Sequence, residues 1–233
     1  MINLRLIQDV NWLIAVLLAY TFSATTAGYF QAWAARKLGD SAPEQEGFLT
    51  WSPLVHIDPL GAFCLLFFGI GWGKFMPLHP EHLRSKFRVL LLFLAKPAAY
   101  MGIAFFALLS LLRFFGLHAL SVVLYMISAE SMSLRPLAEL YPTHSSFTLA
   151  LALILFMLVY IGILFAVLNL IIGCLRFLTF TSLERYFNLQ EGDFASLLLS
   201  FLLILLLARP LKLLVVYTIY TLAYYGAPFI GAM

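Results

Sequence analysis

The sequence predicts an all-α integral membrane protein, a polytopic helical bundle with several spanning helices. Its 233 residues are 63% hydrophobic and only 11% charged, whereas soluble domains carry about 25% charged residues. The mean hydropathy is +0.98, and the basic residues group at the ends of apolar runs, as is typical of membrane proteins. No repeat or linker divides the chain, so residues 1–233 are predicted to form a single polytopic membrane domain.

The composition also argues against several classes of site and partner. Cys64 and Cys174 both lie in apolar runs, which predicts neither a disulfide framework nor a cysteine-rich metal site. The net charge of +3 is small, so membrane lipids are expected partners and nucleic acid is not. No small-residue cleavage site follows a short apolar core near Met1, so we expect no signal peptide.

The first spanning helix is predicted from about Asn11 to Trp33, because a span needs about 20 mostly apolar residues. Residues 38–56 are polar and rich in turn-forming residues. The next apolar piece, residues 59–73, is short and contains four glycines, at positions 61, 69, 71 and 73. It is too short for a comfortable span, so we predict a short re-entrant segment after the first helix.

Two more spans are predicted, from about Val89 to Leu112 and from Phe147 to about Leu175. The C-terminal part, residues 194–232, is again apolar, and it is predicted to form two short helices or one broken helix. Positive charge favours a cytoplasmic location for the end of the first helix and for the basic block at residues 74–88.

Four stretches resemble, in order and spacing, the prokaryotic site-2 proteases, which are zinc metalloproteases that cut substrates within the membrane. The stretches are "AWAARKLGD" (32–40), "GFLTWSPLVHIDPLGAF" (47–63), "GIGWGKFMPLHPEHLRSKFR" (69–88) and "LLFLAKPAAY" (91–100). Farther along, "FAVLNL" (165–170) adds to the likeness. The resemblance implies a site-2-protease-like core over about residues 10–180 and a multi-pass location in the cell (inner) membrane.

The catalytic residues of that family have no counterpart here. Active members show H-E-x-x-H on the first core helix, where two histidines bind zinc and the glutamate serves as general base. Counting back from "KLGD" puts these positions on Ala27, Gly28 and Gln31. The family's third ligand is an aspartate, and Phe177 stands near its position. The resemblance therefore implies a catalytically degenerate homologue without a cofactor.

The first helix has small residues around the positions at which active members carry their catalytic residues. Ala24, Gly28 and Ala32 recur every four residues, and such small faces let helix backbones approach closely in a bilayer. We expect this face to make a close contact within the chain or with a partner. Gln31 is predicted to be buried and to hydrogen-bond a backbone carbonyl or hydroxyl on a neighbouring helix.

Four other polar residues offer a relocated metal site as an alternative: His56, Asp58, His79 and His82. Against it, Pro80 favours a turn in the "HPEH" stretch. Asp58 precedes a proline and is expected to cap a turn by accepting backbone N–H groups.

Lys96 stands where the family usually has a glycine. We expect Lys96 either to reach the membrane interface or to pair with an acid of a partner.

Three functions follow from these observations. The first is a non-catalytic, site-2-protease-like structural or assembly subunit that binds other integral membrane proteins by helix packing, in a hetero-oligomeric complex. The second is a metalloprotease or hydrolase with a relocated metal site. The third is a small transporter or channel subunit, although no intramembrane acid or internal repeat marks a transport path.

Overall fold

The structure is a computed structural model that describes residues 10–79, 83, 85–128, 145–182, 217 and 221. In chain order its helices are α1 (Val10–Leu38), α2 (Ala42–Gln45), α3 (Pro53–His56), α4 (Pro59–Phe68), α5 (Lys86–Ser128) and α6 (Ser146–Ser182). Across these residues no β-sheet forms, and an isolated antiparallel bridge joins Ile57 to Gly73.

Three of the helices are long and apolar enough to cross a membrane, and they confirm the predicted all-helical membrane fold. The qualifying stretches are Val10–Leu38, Lys86–Gly116 and Ser146–Cys174. Helix α5 continues beyond its spanning part to Ser128, with a break at Gly116, where φ is 67°. The predicted C-terminal helices at 194–232 lie outside the described residues, apart from Tyr217 and Thr221.

Helices α5 and α6 pack antiparallel, and glycines allow their backbones to approach closely. A Cβ atom built on Gly162 of α6 would lie 2.9 Å from Cβ of Ala104 on α5. One built on Gly173 would lie 3.2 Å from the carbonyl oxygen of Phe93. The later residue on α6, Gly173, contacts the earlier residue on α5, Phe93, so the two helices run in opposite directions.

Helix α6 also contacts α1 through an aromatic cluster in the core. The ring of Phe165 meets Tyr20 of α1 edge to face, with ring centroids 5.9 Å apart. It meets Tyr100 of α5 in the same way, at 5.4 Å. Such edge-to-face pairs add to the packing beyond the apolar area they bury. Phe165 therefore connects the three spanning helices near the middle of the bundle.

The re-entrant segment folds as predicted, because α4 enters the bundle and the chain then returns. The Asp58 carboxylate caps α4 by accepting the Gly61 N–H at 2.7 Å. The helix has 10 residues, about 15 Å at about 1.5 Å per residue, which is half of a hydrocarbon core of about 30 Å. It ends at Gly69, where φ is 74°. The returning chain then donates the Lys74 N–H to the His56 carbonyl at 2.8 Å.

Candidate functional site

The positions that the resemblance assigns to two zinc ligands and to the general base lie on the inner face of α1. Ala27, Gly28 and Gln31 are all buried, as are Ala24 and Ala32. Helical periodicity places residues three and four apart on the same side of a helix, so these small side chains form one continuous face. The hydrogen-bond partner expected for Gln31 stays a prediction.

The imidazole of His56 fills the notch that Gly28 leaves in this face. Helix α3 ends at His56, whose side chain is only 2% exposed. A Cβ atom built on Gly28 would lie 2.9 Å from Cγ and 3.0 Å from Cε1 of His56, and closer still to Nδ1. Any side chain at position 28 would therefore displace the imidazole.

A hydrogen bond holds the His56 ring in this position. Its Nε2 lies 2.8 Å from the Thr50 carbonyl oxygen. Since a carbonyl oxygen can only accept, Nε2 donates this hydrogen bond, and in the neutral imidazole Nδ1, which faces Gly28, is then the unprotonated nitrogen. Phe48 packs edge-on against the same ring, with centroids 6.0 Å apart. The sequence indicated a role for Gly28 in packing but not that His56 is its neighbour.

The electrostatic surroundings keep the His56 imidazole neutral. Burial lowers the pKa of His56 from its usual value, and the hydrogen bond to Thr50 opposes that shift. The positive charges of Lys96 and Lys74 lower the pKa of His56 further. A neutral, buried and hydrogen-bonded histidine is suited to a packing role in this position.

Two of the other candidates for a relocated metal site, Asp58 and His79, take part in structural hydrogen bonds. Asp58 caps α4, as expected from the sequence, and its backbone N–H donates to the Tyr20 hydroxyl at 3.2 Å. His79 donates its backbone N–H to an Asp40 carboxylate oxygen at 2.8 Å. His82 lies outside the described residues. In the part of the chain that the structure describes, no three His, Cys, Asp or Glu side chains are grouped to hold a metal.

Asp40 is a structural residue that sequence reasoning missed. Its side chain is fully buried, and one carboxylate oxygen accepts the Ala42 N–H at 3.1 Å. The other oxygen accepts the His79 N–H, so this single carboxylate ties the end of α1 to the chain that returns from α4. The "LGD" sequence at the end of α1 could have indicated this role of Asp40. Gly39 takes a φ of 112°, which ends the helix and directs the chain into a turn at Asp40.

Lys96 is buried inside the bundle, and its expected pairing with an acid of a partner stays a prediction. Its side chain is 5% exposed, so it does not extend to the interface. Its Nζ donates to the Lys74 carbonyl oxygen at 3.1 Å, and no carboxylate among the described residues forms an ion pair with it. The lysine instead holds the returning chain against α5, because its long side chain reaches a backbone acceptor close to the site.

The remaining position of the family's zinc site is apolar. Phe177 of α6 packs against a cluster of buried side chains that includes Ala32 and Ala35 of α1. Catalytic zinc sites use three protein ligands with nitrogen, oxygen or sulfur atoms. At the three ligand positions, Ala27 and Phe177 have no such side-chain atom and Gln31 offers only an amide, so the residues at these positions do not fit a zinc ion.

The comparisons with known proteins agree with a distant relation to metalloproteases. The chain is 31% identical over 93 residues to the protein named "Putative zinc metalloprotease YwhC" of Bacillus subtilis (strain 168). This match covers 39% of the chain and 42% of that protein. No protein-family profile matches the sequence, and no solved structure matches it. The chain is therefore a helical membrane protein with a distant, partial similarity to site-2-protease-like proteins.

Proposed function

We propose that this protein is a non-catalytic, site-2-protease-like subunit of the cell (inner) membrane. In this role it holds other integral membrane proteins in a hetero-oligomeric complex through helix packing. The observation that carries the proposal is the His56 imidazole in the Gly28 notch. By the resemblance, that position belongs to the general base of an active enzyme.

The proposal follows from what an active site would need at this point. A zinc-bound water requires an open position between the metal and the base. Here a neutral imidazole contacts the α1 backbone at Gly28 and is held by Thr50. The neighbouring ligand position, Ala27, is buried and apolar. The His56 imidazole thus occupies the space that the zinc-bound water and the base would need. This supports a role in binding other membrane proteins rather than in catalysis.

Metal analysis of the purified full-length chain tests the non-catalytic part. We expect far less than one zinc per chain, and no cleavage of membrane substrates after reconstitution into liposomes. A content near one zinc per chain that is lost in the His79→Ala, His82→Ala double variant would instead establish the relocated metal site.

Purification in a mild detergent tests the assembly part. We expect membrane proteins to co-purify with the wild-type chain and to be lost from Gly28→Leu, because the larger side chain displaces His56. Gly102→Leu is the matched control, since a Cβ atom built on Gly102 meets nothing within 4 Å. Equal recovery of partners with both variants would contradict the role given to this face of α1.

A further inference from the structure

Two cations from different spanning helices contact adjoining residues of the chain that returns from α4. From α5, the Lys96 Nζ donates to the Lys74 carbonyl oxygen at 3.1 Å. From α6, the guanidinium carbon of Arg176 lies 5.6 Å from the centre of the Phe75 ring. Because Lys74 and Phe75 are consecutive, these contacts bring the two charges towards each other. We name Lys74, Lys96 and Arg176 the cation cluster.

The cation cluster extends from the surface of the protein to its interior. Lys74 is exposed, Arg176 is half-buried and Lys96 is only 5% exposed. The charges are close enough to interact, since Arg176 repels Lys96, and both Lys74 and Lys96 act on the His56 imidazole. Positive charge is therefore concentrated where the returning chain meets the spanning helices.

The described residues hold too little negative charge to balance the cation cluster. Among them, Asp58 is the carboxylate whose charge reaches Lys96, and it caps α4 by accepting the Gly61 N–H at 2.7 Å. No carboxylate in the described ranges forms an ion pair with Lys96 or Lys74. One carboxylate thus stands against three cations, and the neutral His56 adds no charge.

The buried ammonium group of Lys96 has hydrogen-bonding capacity left. An ammonium group donates up to three hydrogen bonds, and the Lys74 carbonyl is the acceptor that the structure shows for it. Burying a charge is costly unless the charge is both paired and hydrogen-bonded. An anion held between Lys96 and Arg176 would meet both requirements.

We propose that the cation cluster binds a phosphate group, which Lys96 contacts from α5 and Arg176 contacts from α6. A guanidinium offers a planar fork that matches two phosphate oxygens, and an ammonium adds a point charge. Phosphate is tetrahedral, so its oxygens face several directions and accept from two helices at once, whereas carboxylate oxygens lie in one plane. The group comes from the headgroup of an anionic phospholipid or from inorganic phosphate. This site does not depend on the proposed function, since it requires neither a partner protein nor the absence of zinc.

The first arm of the test uses the full-length protein in an uncharged detergent, with inorganic phosphate as the probe. Thermal unfolding is followed by tryptophan fluorescence while phosphate replaces chloride at constant ionic strength. Phosphate should raise the unfolding midpoint of the wild type, because a ligand that binds only the folded state stabilises it. Lys96→Met should bind phosphate at least about tenfold more weakly, since it loses a charge-assisted hydrogen bond.

The second arm distinguishes the two sources of phosphate. The protein is placed in nanodiscs of phosphatidylcholine, with or without phosphatidylglycerol, and native mass spectrometry after extraction identifies the lipids that it retains. Retention of phosphatidylglycerol by the wild type but not by Lys96→Met would identify a lipid headgroup. Equal stabilisation by inorganic phosphate in both kinds of nanodisc would identify the solution as the source.

Matched variants separate this site from the general charge of the surface. Lys86→Met is the control, because Lys86 is an exposed lysine at the start of the same helix. It should respond to both probes as the wild type does, since exposed charges are largely screened by salt. Arg176→Lys should weaken binding less than Arg176→Gln, because it keeps the charge and loses only the fork. The two Arg176 variants give the same comparison if Lys96→Met does not fold.

A wild type that responds to neither probe would overturn the inference, and this measurement requires no variant. A response that persists unchanged in Lys96→Met would overturn it as well, since it would reflect only the positive charge of the surface. Pairing of Lys96 with a carboxylate of a partner chain would give a purified complex that is insensitive to both probes, which would also contradict the phosphate site. Zinc binding with substrate cleavage would refute the proposed function and leave this result unaffected.

Discussion

Replacing Gly28 by alanine adds one methyl group at the contact between α1 and the His56 imidazole. That methyl would lie 2.9 Å from Cγ and 3.0 Å from Cε1 of His56, closer than side chains normally pack, so the ring has to move. Movement of the ring breaks its hydrogen bond to the Thr50 carbonyl. Leaving a buried polar group unpaired costs about 1–3 kcal/mol, and overpacking a core costs about 1–3 kcal/mol.

The intrinsic preference of helices for alanine opposes these losses. Alanine is favoured over glycine by about 1 kcal/mol in a helix interior, so the net destabilisation expected for Gly28→Ala is about 3 kcal/mol. Gly102→Ala is the matched control, because its added methyl meets nothing within 4 Å. It should be neutral or stabilising by up to about 1 kcal/mol.

A double-mutant cycle attributes the effect to His56. The free energy of unfolding is measured by denaturant titration in mixed detergent micelles for Gly28→Ala, His56→Ala and the double variant. Removing the imidazole makes room for the new methyl, so the double variant should be more stable than the sum of the single changes by at least about 1 kcal/mol. Additive effects, or a Gly28→Ala variant as stable as Gly102→Ala, would refute the contact described here.

Three further predictions follow from the site. Burial lowers the pKa of His56 in the folded protein below the value of about 6.5 that it has in the unfolded chain. The free energy of unfolding should therefore fall as the pH drops from about 6.5 through the folded pKa, because the unfolded chain binds the proton more readily. Unfolding titrations across pH 4–8 should show this loss of stability in the wild type and a smaller one in His56→Gln. Asp40→Ala should destabilise the protein by about 1.5–3 kcal/mol, because it removes an acceptor of two backbone N–H groups; Glu44→Ala, which removes the exposed ion pair with Arg36, should cost at most about 1 kcal/mol. Single cysteines at Gln45 and at Ser85, which are both exposed, should react with a membrane-impermeant reagent from the same side, and labelling from opposite sides would contradict the re-entrant path.

The local features of this protein could be predicted from its sequence. The three spans follow from runs of apolar side chains long enough to cross a bilayer. The re-entrant segment follows from the shortness and the glycines of residues 59–73, and the Asp58 cap follows from an aspartate before a proline. Each of these depends on neighbours within a few residues, so the order of residue types is sufficient to predict it.

The contacts that define the candidate site were decided by the tertiary structure. His56 meets Gly28, Asp40 meets His79, and Lys96 meets Lys74, and each pair joins residues far apart in the chain. The partner of each residue depends on where the chain returns after α4 and on how α5 packs beside α1. Residue types alone set a preference for burial or for hydrogen bonding. Only the path of the backbone determines which buried group is within reach, which is why Gly28 could be predicted to pack closely but not against His56.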